Sequence, residues 1–227
     1  MSRAETPEKV LDAAETLFAQ RGYHGVSLRQ IAQEAKVAVS LVQYHFANKE
    51  ELFGAVLGRR IAVINYERLQ RLDAVEQRSK GQPELQDVLR AFLEPTLLFS
   101  RNKAQGGQQY AQLIAQISND PQPHARRVSR EHSDPIARQT IRVLAKALPH
   151  MDQKTLTWCY LFSVGAMVSA MSPTGRIRTI SEERNDPDDT TELIQLLVTF
   201  LTGGFQATYA TYPTYPTADT TNAAHQA

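Results

Sequence analysis

Apolar residues recur at three- and four-residue spacing along most of the chain, and no stretch alternates with the period of a strand. The pattern predicts an all-α protein. Ser27 followed three residues later by Gln30 is a capping-box signal. A helix is therefore expected from Leu28, with Leu28, Ile31, Ala32 and Ala35 on its buried face. Val37 opens a second apolar pattern in a new phase, and a short helix over about 39–45 runs into Phe46. Asn48 with Glu51 repeats the capping logic and starts a third helix at Lys49. Short helix, tight turn, short helix is the helix-turn-helix arrangement, whose second helix fits the major groove of DNA.

Upstream, Thr6-Pro7 caps a helix whose stripe is Val10, Leu11, Ala14, Leu17 and Phe18, and Gly22 ends it. Residues 1–5 are polar and expected to fray. From Lys49 one long helix is predicted to about residue 78, through Leu52, Phe53, Val56, Leu57, Ile61, Ile64, Leu69 and Leu72. After a loop over 76–83 comes a helix with Leu85, Val88, Leu89, Phe92 and Leu93, and Pro95 should kink or break it. A short amphipathic helix covers Tyr110 to Ile117, and a charged helical segment over 123–147 is interrupted at Asp134-Pro135. Asp152 caps a helix over 153–172 that is apolar round most of its circumference. A polar loop over 172–189 leads to a last helix over 190–207. The expected organisation is a DNA head at 1–48, a helical body at 49–208 and a disordered tail at 209–227.

The first 55 or so residues resemble the DNA-reading segment of the tetracycline-repressor (TetR) family of bacterial transcription regulators. The matching pieces are Leu28-Arg29-Gln30-Ile31-Ala32, Ala35 with Val37, Tyr44-His45-Phe46 and Lys49-Glu50-Glu51-Leu52. Leu11 to Ala14, and Leu17-Phe18 through Gly22-Tyr23, match the family's first helix. Three positions depart: Lys36 replaces a turn glycine, Ala38 a capping Ser or Thr, and Gln43 a tyrosine. The resemblance implies a three-helix head and a variable helical body that dimerises and holds an effector. It also implies that Tyr44, His45 and Lys49 lie against phosphates. Ser27 and Arg29 are further polar groups of the head, with Ser27 also a cap. Val39, Ser40 and Leu41 are expected to face the groove, and Gln43 can read an adenine edge through paired hydrogen bonds.

Composition changes this picture little. The net charge of +1 offers no overall basic field, but a regulator needs only a local cationic face. The single cysteine, Cys159, rules out an internal disulfide, and its apolar surroundings read as a buried thiol. The start of the chain lacks a secretory pattern, and the longest apolar run, Leu161 to Met171, is short of the roughly 20 residues a span needs. No membrane association and a cytoplasmic location are expected.

An enzyme reading finds no support in the pattern. Glu131-His132-Ser133-Asp134 are helix neighbours about 100° apart and cannot converge as a triad. No HExxH, phosphate loop or metal spacing occurs, so neither metal nor cofactor is expected. His24, His124, His150 and His225 are isolated and read as surface residues. Tyr66, Phe92, Phe99, Tyr110, Trp158, Phe162 and Met167 are the candidate effector-lining side chains, and their chemistry suits an apolar or amphipathic small molecule. The helices over 153–172 and 190–207 carry more apolar surface than one copy can cover, so a homodimer through them is expected. The expected function is a repressor on a near-palindromic double-stranded DNA operator, released by the effector. The competing readings are a ligand-independent repressor and an architectural DNA binder.

Overall fold

The caps that open the head are local devices, and they form as their residue types dictate. The computed structural model describes residues 5–186 and 188–211. Helix α1 (Glu5–Arg21) stops at Gly22, whose φ of +70 is the left-handed turn that suits a residue without Cβ. Helix α2 (Leu28–Glu34) carries the complete capping box: Gln30 N–H donates to the Ser27 hydroxyl at 3.3 Å, and Ser27 N–H donates to Gln30 Oε1 at 2.8 Å. Helix α3 (Val39–His45) begins at Ala38 without a side-chain cap. Helix α4 (Lys49–Arg78) is capped by Asn48, whose Oδ1 accepts from Glu51 N–H at 2.8 Å.

Lys36, in the turn between α2 and α3, has φ +56, the left-handed region that costs a residue with a Cβ of order 1 kcal/mol. Lys36→Gly is therefore expected to raise stability by about 0.5–1 kcal/mol, after allowing for glycine's extra unfolded-state entropy. Urea denaturation reads it directly. An unchanged or lower midpoint contradicts strain at this turn.

The body follows as α5 (Leu85–Arg101), a 3-10 turn (Lys103–Gln105), α6 (Gly107–Ile117), α7 (Pro123–Val128), a π turn (Ser129–Ser133) and α8 (Asp134–Ala147). Then come α9 (Gln153–Met171), α10 (Arg176–Ile180) and α11 (Thr190–Thr211). The architecture is all-α, with no strand among the described residues. Pro95 does not break its helix; α5 is assigned without interruption through it, and the proline ring is buried. Pro135 sits in the first turn of α8, where a missing N–H is harmless, and the wider π turn joins α8 to α7. The polar loop after α9 contains the unexpected short α10. Helix α11 runs to Thr211, beyond the predicted end at 207 and three residues into the predicted tail; residues 1–4 and 212–227 lie outside the described residues.

One buried apolar cluster extends from Val10 to Phe205, continuous across the 48/49 boundary. Its spine is the inner stripe of α4: Ile61, Ile64, Arg68, Leu72 and Val75. The stripe takes Arg68, 6% exposed, where the sequence reading placed Leu69, which is 38% exposed. Helix α1 is fastened to α4 by the buried Glu15, which accepts from Arg59 Nη2 at 2.5 Å, Arg60 Nη2 at 2.7 Å and Arg60 Nε at 2.9 Å. Helix α11 packs on α5 and α9. By length and composition it is apolar enough to cross a membrane, with mean hydropathy 1.2, and only part of it is buried. It forms no unbroken apolar run in the sequence, because threonines and glycines are spread among its leucines.

Candidate nucleic-acid interface and interior site

Val42 and Phe46 seat α3 in the core beside Ile31 and Ala32 of α2. Their burial leaves Ser40, Gln43 and Tyr44 on one exposed face at i, i+3 and i+4. Tyr44 is 70% exposed, with its ring edge-on to His45 at 5.2 Å. Val39, Leu41 and His45 are half-buried, and Val39 also packs on the core. Arg29 is exposed on α2, while the Ser27 hydroxyl both accepts from and donates to Gln30 within the cap. Lys49, expected against phosphate, turns back to the loop between α1 and α2. Its Nζ donates to Tyr23 O and Val26 O, each at 3.0 Å, and lies 4.3 Å from the Tyr23 ring centre. Burial holds the ammonium below the usual lysine value. Here Lys49 closes the loop between α1 and α2.

The same loop meets the body. Tyr23 stacks on His124 of α7 at 3.8 Å, and Phe53 of α4 meets His124 edge-on at 5.4 Å. His124 is thus buried rather than superficial, and burial lowers its pKa although Asp120 lies 3.3 Å away. On α6, Gln116 donates to Ala19 O of α1 at 3.0 Å. Beyond the shared apolar cluster, the first three helices are tied to the rest by the Lys49 bonds to Tyr23 and Val26, the Glu15 clamp, the Tyr23–His124 stack and the Gln116 bond.

Four of the candidate effector-lining residues come together inside the body. Phe92, Tyr110 and Met167 are buried, and Phe99 meets Tyr110 edge-on at 5.4 Å. At their centre is Arg68, a residue the sequence reading missed. Its guanidinium lies 4.6 Å from the Phe92 ring centre and 3.5 Å from Met167 Sδ. The other three candidates do not join them. Tyr66, Trp158 and Phe162 are 68%, 54% and 64% exposed. Helix α9 is apolar on nearly every side, so periodicity alone could not show that Trp158 and Phe162 face outward. They stack on each other at 5.8 Å, next to the exposed Leu161.

A cleft of about 850 Å³ opens beside the interior cluster, between the C-terminal ends of α5 and α9, α10 and the start of α11. Its lining includes Ser100, Ala111 and Met171, which are buried, and the exposed Ile177 and Ile180 of α10.

A family model described as "Tetracyclin repressor-like, C-terminal domain" matches residues 90–204, and one described as "Bacterial regulatory proteins, tetR family" matches residues 10–56. The chain belongs to the tetR family of bacterial regulatory proteins. Over 55 residues it is 47% identical to the HTH-type transcriptional repressor Rv3405c of Mycobacterium tuberculosis, covering 24% of this chain and 29% of that protein. Over 106 residues it is 30% identical to the HTH-type transcriptional activator FasR of Mycolicibacterium smegmatis, covering 47% and 45%. The chain thus spans less than half the length of either relative. A TetR-like transcriptional regulator from Rhodococcus sp. RHA1 shares the fold, with TM-score 0.60 and 20% identity over 91% of this chain and 98% of that one.

Proposed function

We propose that the protein is a dimeric, ligand-responsive repressor of transcription. Residues 1–48 form the reading head on a near-palindromic double-stranded operator. Residues 49–208 form the body, which holds an apolar or amphipathic effector among Phe92, Phe99, Tyr110 and Met167. The observation that carries this reading is the continuity of α4. One helix of 30 residues starts under the head, holds Glu15 through Arg59 and Arg60, and passes the interior cluster at Arg68. A close-packed interior answers an inserted ligand by shifting whole elements, so a shift of α4 carries the head with it. In a dimer that shift changes the spacing of two heads that must sit in successive major grooves.

The test begins with operator selection from a random duplex pool, followed by affinity measurements across salt. A near-palindrome should emerge. Arg29→Ala should weaken binding to all sequences and make the salt dependence less steep by about one counterion per head. Gln43→Ala should relax preference at one base pair of each half-site. Lys49→Ala should cost about 1–3 kcal/mol of stability, from two carbonyls left without their donor, and leave the salt slope unchanged. Failure to enrich any sequence sinks the DNA reading. The effector reading has its own check. A ligand that weakens operator binding about a hundredfold must bind the operator complex about a hundredfold more weakly than the free protein. Equal operator affinity with and without a ligand shown to occupy the body leaves a ligand-independent binder.

A further inference from the structure

Arg68 is a buried cation with no carboxylate beside it among the described residues. Its Nε donates to Phe92 O at 2.9 Å, Nη1 to Asn65 Oδ1 at 3.2 Å and Nη2 to Thr96 Oγ1 at 2.5 Å. Every acceptor is neutral. The ionisable groups that act on it are the phenols Tyr110 and Tyr160. Burial pushes Tyr110 up to about 12 and raises Tyr160 as well, so both keep their protons. Other guanidiniums of α4 have found carboxylates: Arg59 and Arg60 share Glu15, and Arg71 bonds Glu67 and Glu94. An uncompensated charge in the interior is costly, and a bound anion removes that cost.

The cleft lies about one helical turn from it. Thr96 and Met167, which touch Arg68, stand one helical turn from Ser100 and Met171 of the cleft wall, a rise of about 5.4 Å along each helix. Tyr110 directly precedes Ala111 of the same wall. At the rim, Arg101 Nε is buried without a hydrogen-bond partner. The lining carries Asp186, Asp188, Asp189 and Glu192 together with Arg101, Lys103 and Arg176, and Arg178 pairs with Asp186 and Asp188, while Ile177, Ile180, Leu193 and Leu196 offer apolar surface. The apolar residues suit the body of a guest, and the buried cation left without a countercharge is Arg68.

We infer that the effector is an amphipathic carboxylate whose head group pairs with Arg68 and whose apolar body fills the cleft. The inference rests on the effector-binding reading and adds the chemical class. A planar guanidinium can exchange the neutral acceptors Asn65 and Thr96 for a carboxylate, because such charge-assisted pairs exceed neutral hydrogen bonds in strength.

Three probes with the same alkyl chain test it by calorimetry at pH 8: decanoate, 1-decanol and decylamine. Wild type should bind decanoate about tenfold or more tightly than decanol, and decylamine most weakly. In Arg68→Met the decanoate preference should vanish, while Arg68→Lys should keep part of it. Equal binding of decanoate and decanol to the wild type overturns the inference, as does a preference that survives in Arg68→Met. The wild-type ranking decides the matter alone if Arg68→Met does not fold, and failure of decanoate to bind at 1 mM order also overturns it. Failure of the underlying reading looks different. There, decanoate binds with the expected preference and operator affinity does not change.

Discussion

Phe200→Glu in α11 is expected to convert the protein into a 25.4 kDa monomer and to lower operator affinity by about a hundredfold or more. The outward faces of α9 and α11 carry Trp158, Leu161 and Phe162, and Leu196 and Phe200, the last 73% exposed. Gly165, Gly203 and Gly204 have open space where a Cβ would stand, so another backbone can come close. In the proposed dimer, two such helices from each copy would make a four-helix interface with two-fold symmetry. Symmetry places the new carboxylate in the interface twice. Losing an aromatic anchor costs about 2–4 kcal/mol per copy, and burying an unpaired charge adds to it. The dimer constant should rise by about a thousandfold at least, and each freed head then binds its half-site without the gain from its twin. Sedimentation at micromolar concentration reads the mass. A Phe200→Glu protein that stays dimeric there moves the interface to another face.

What the sequence disclosed about this fold follows from how local each signal is. Ser27 with Gln30, and Asn48 with Glu51, bond within one helical turn, and those helix starts are found where the residue types put them. The long α4 was legible because no proline interrupts it. Facing is harder. On α4 an arginine occupies the stripe that Ile64 and Leu72 define at four-residue spacing, and assigning Leu69 to it put the phase one residue out. The phase itself was the available signal: positions 61, 64, 68, 72 and 75 keep the helical period only if 68 is included. On α9 the signal was missing altogether, since an apolar circumference has no phase. Lys49 shows a third limit, because its acceptors, the carbonyls of Tyr23 and Val26, lie more than 20 residues upstream. The cleft depends on α10 and on three helix ends meeting, which no local pattern records.

Glu15→Gln is expected to cost about 3 kcal/mol of stability and to weaken operator binding even where the variant is fully folded. Glu15 is 4% exposed and accepts from two guanidiniums of the helix it packs on, at 2.5–2.9 Å. An amide in its place offers one acceptor and turns a donor toward one of those cations. Breaking a buried pair from one side costs about 3–5 kcal/mol, and the lower end applies because the Arg59 and Arg60 side chains retain 17% and 22% exposure. The loss reaches the body, since Arg60 also lies against the turn before α6: a Cβ on Gly106 would come 3.0 Å from Arg60 Nη2. Without the clamp, α1 no longer fixes α2 and α3 relative to α4, and the ordering lost in the free protein must be recovered on DNA. Glu8→Gln is the control. It touches the same Arg59 at 3.2 Å, but its side chain is 69% exposed, where an ion pair contributes about 0–1 kcal/mol. Urea midpoints and operator titrations of the two variants, side by side, separate a buried clamp from surface charge. Equal losses in both would show that α1 is held to α4 by its apolar face alone.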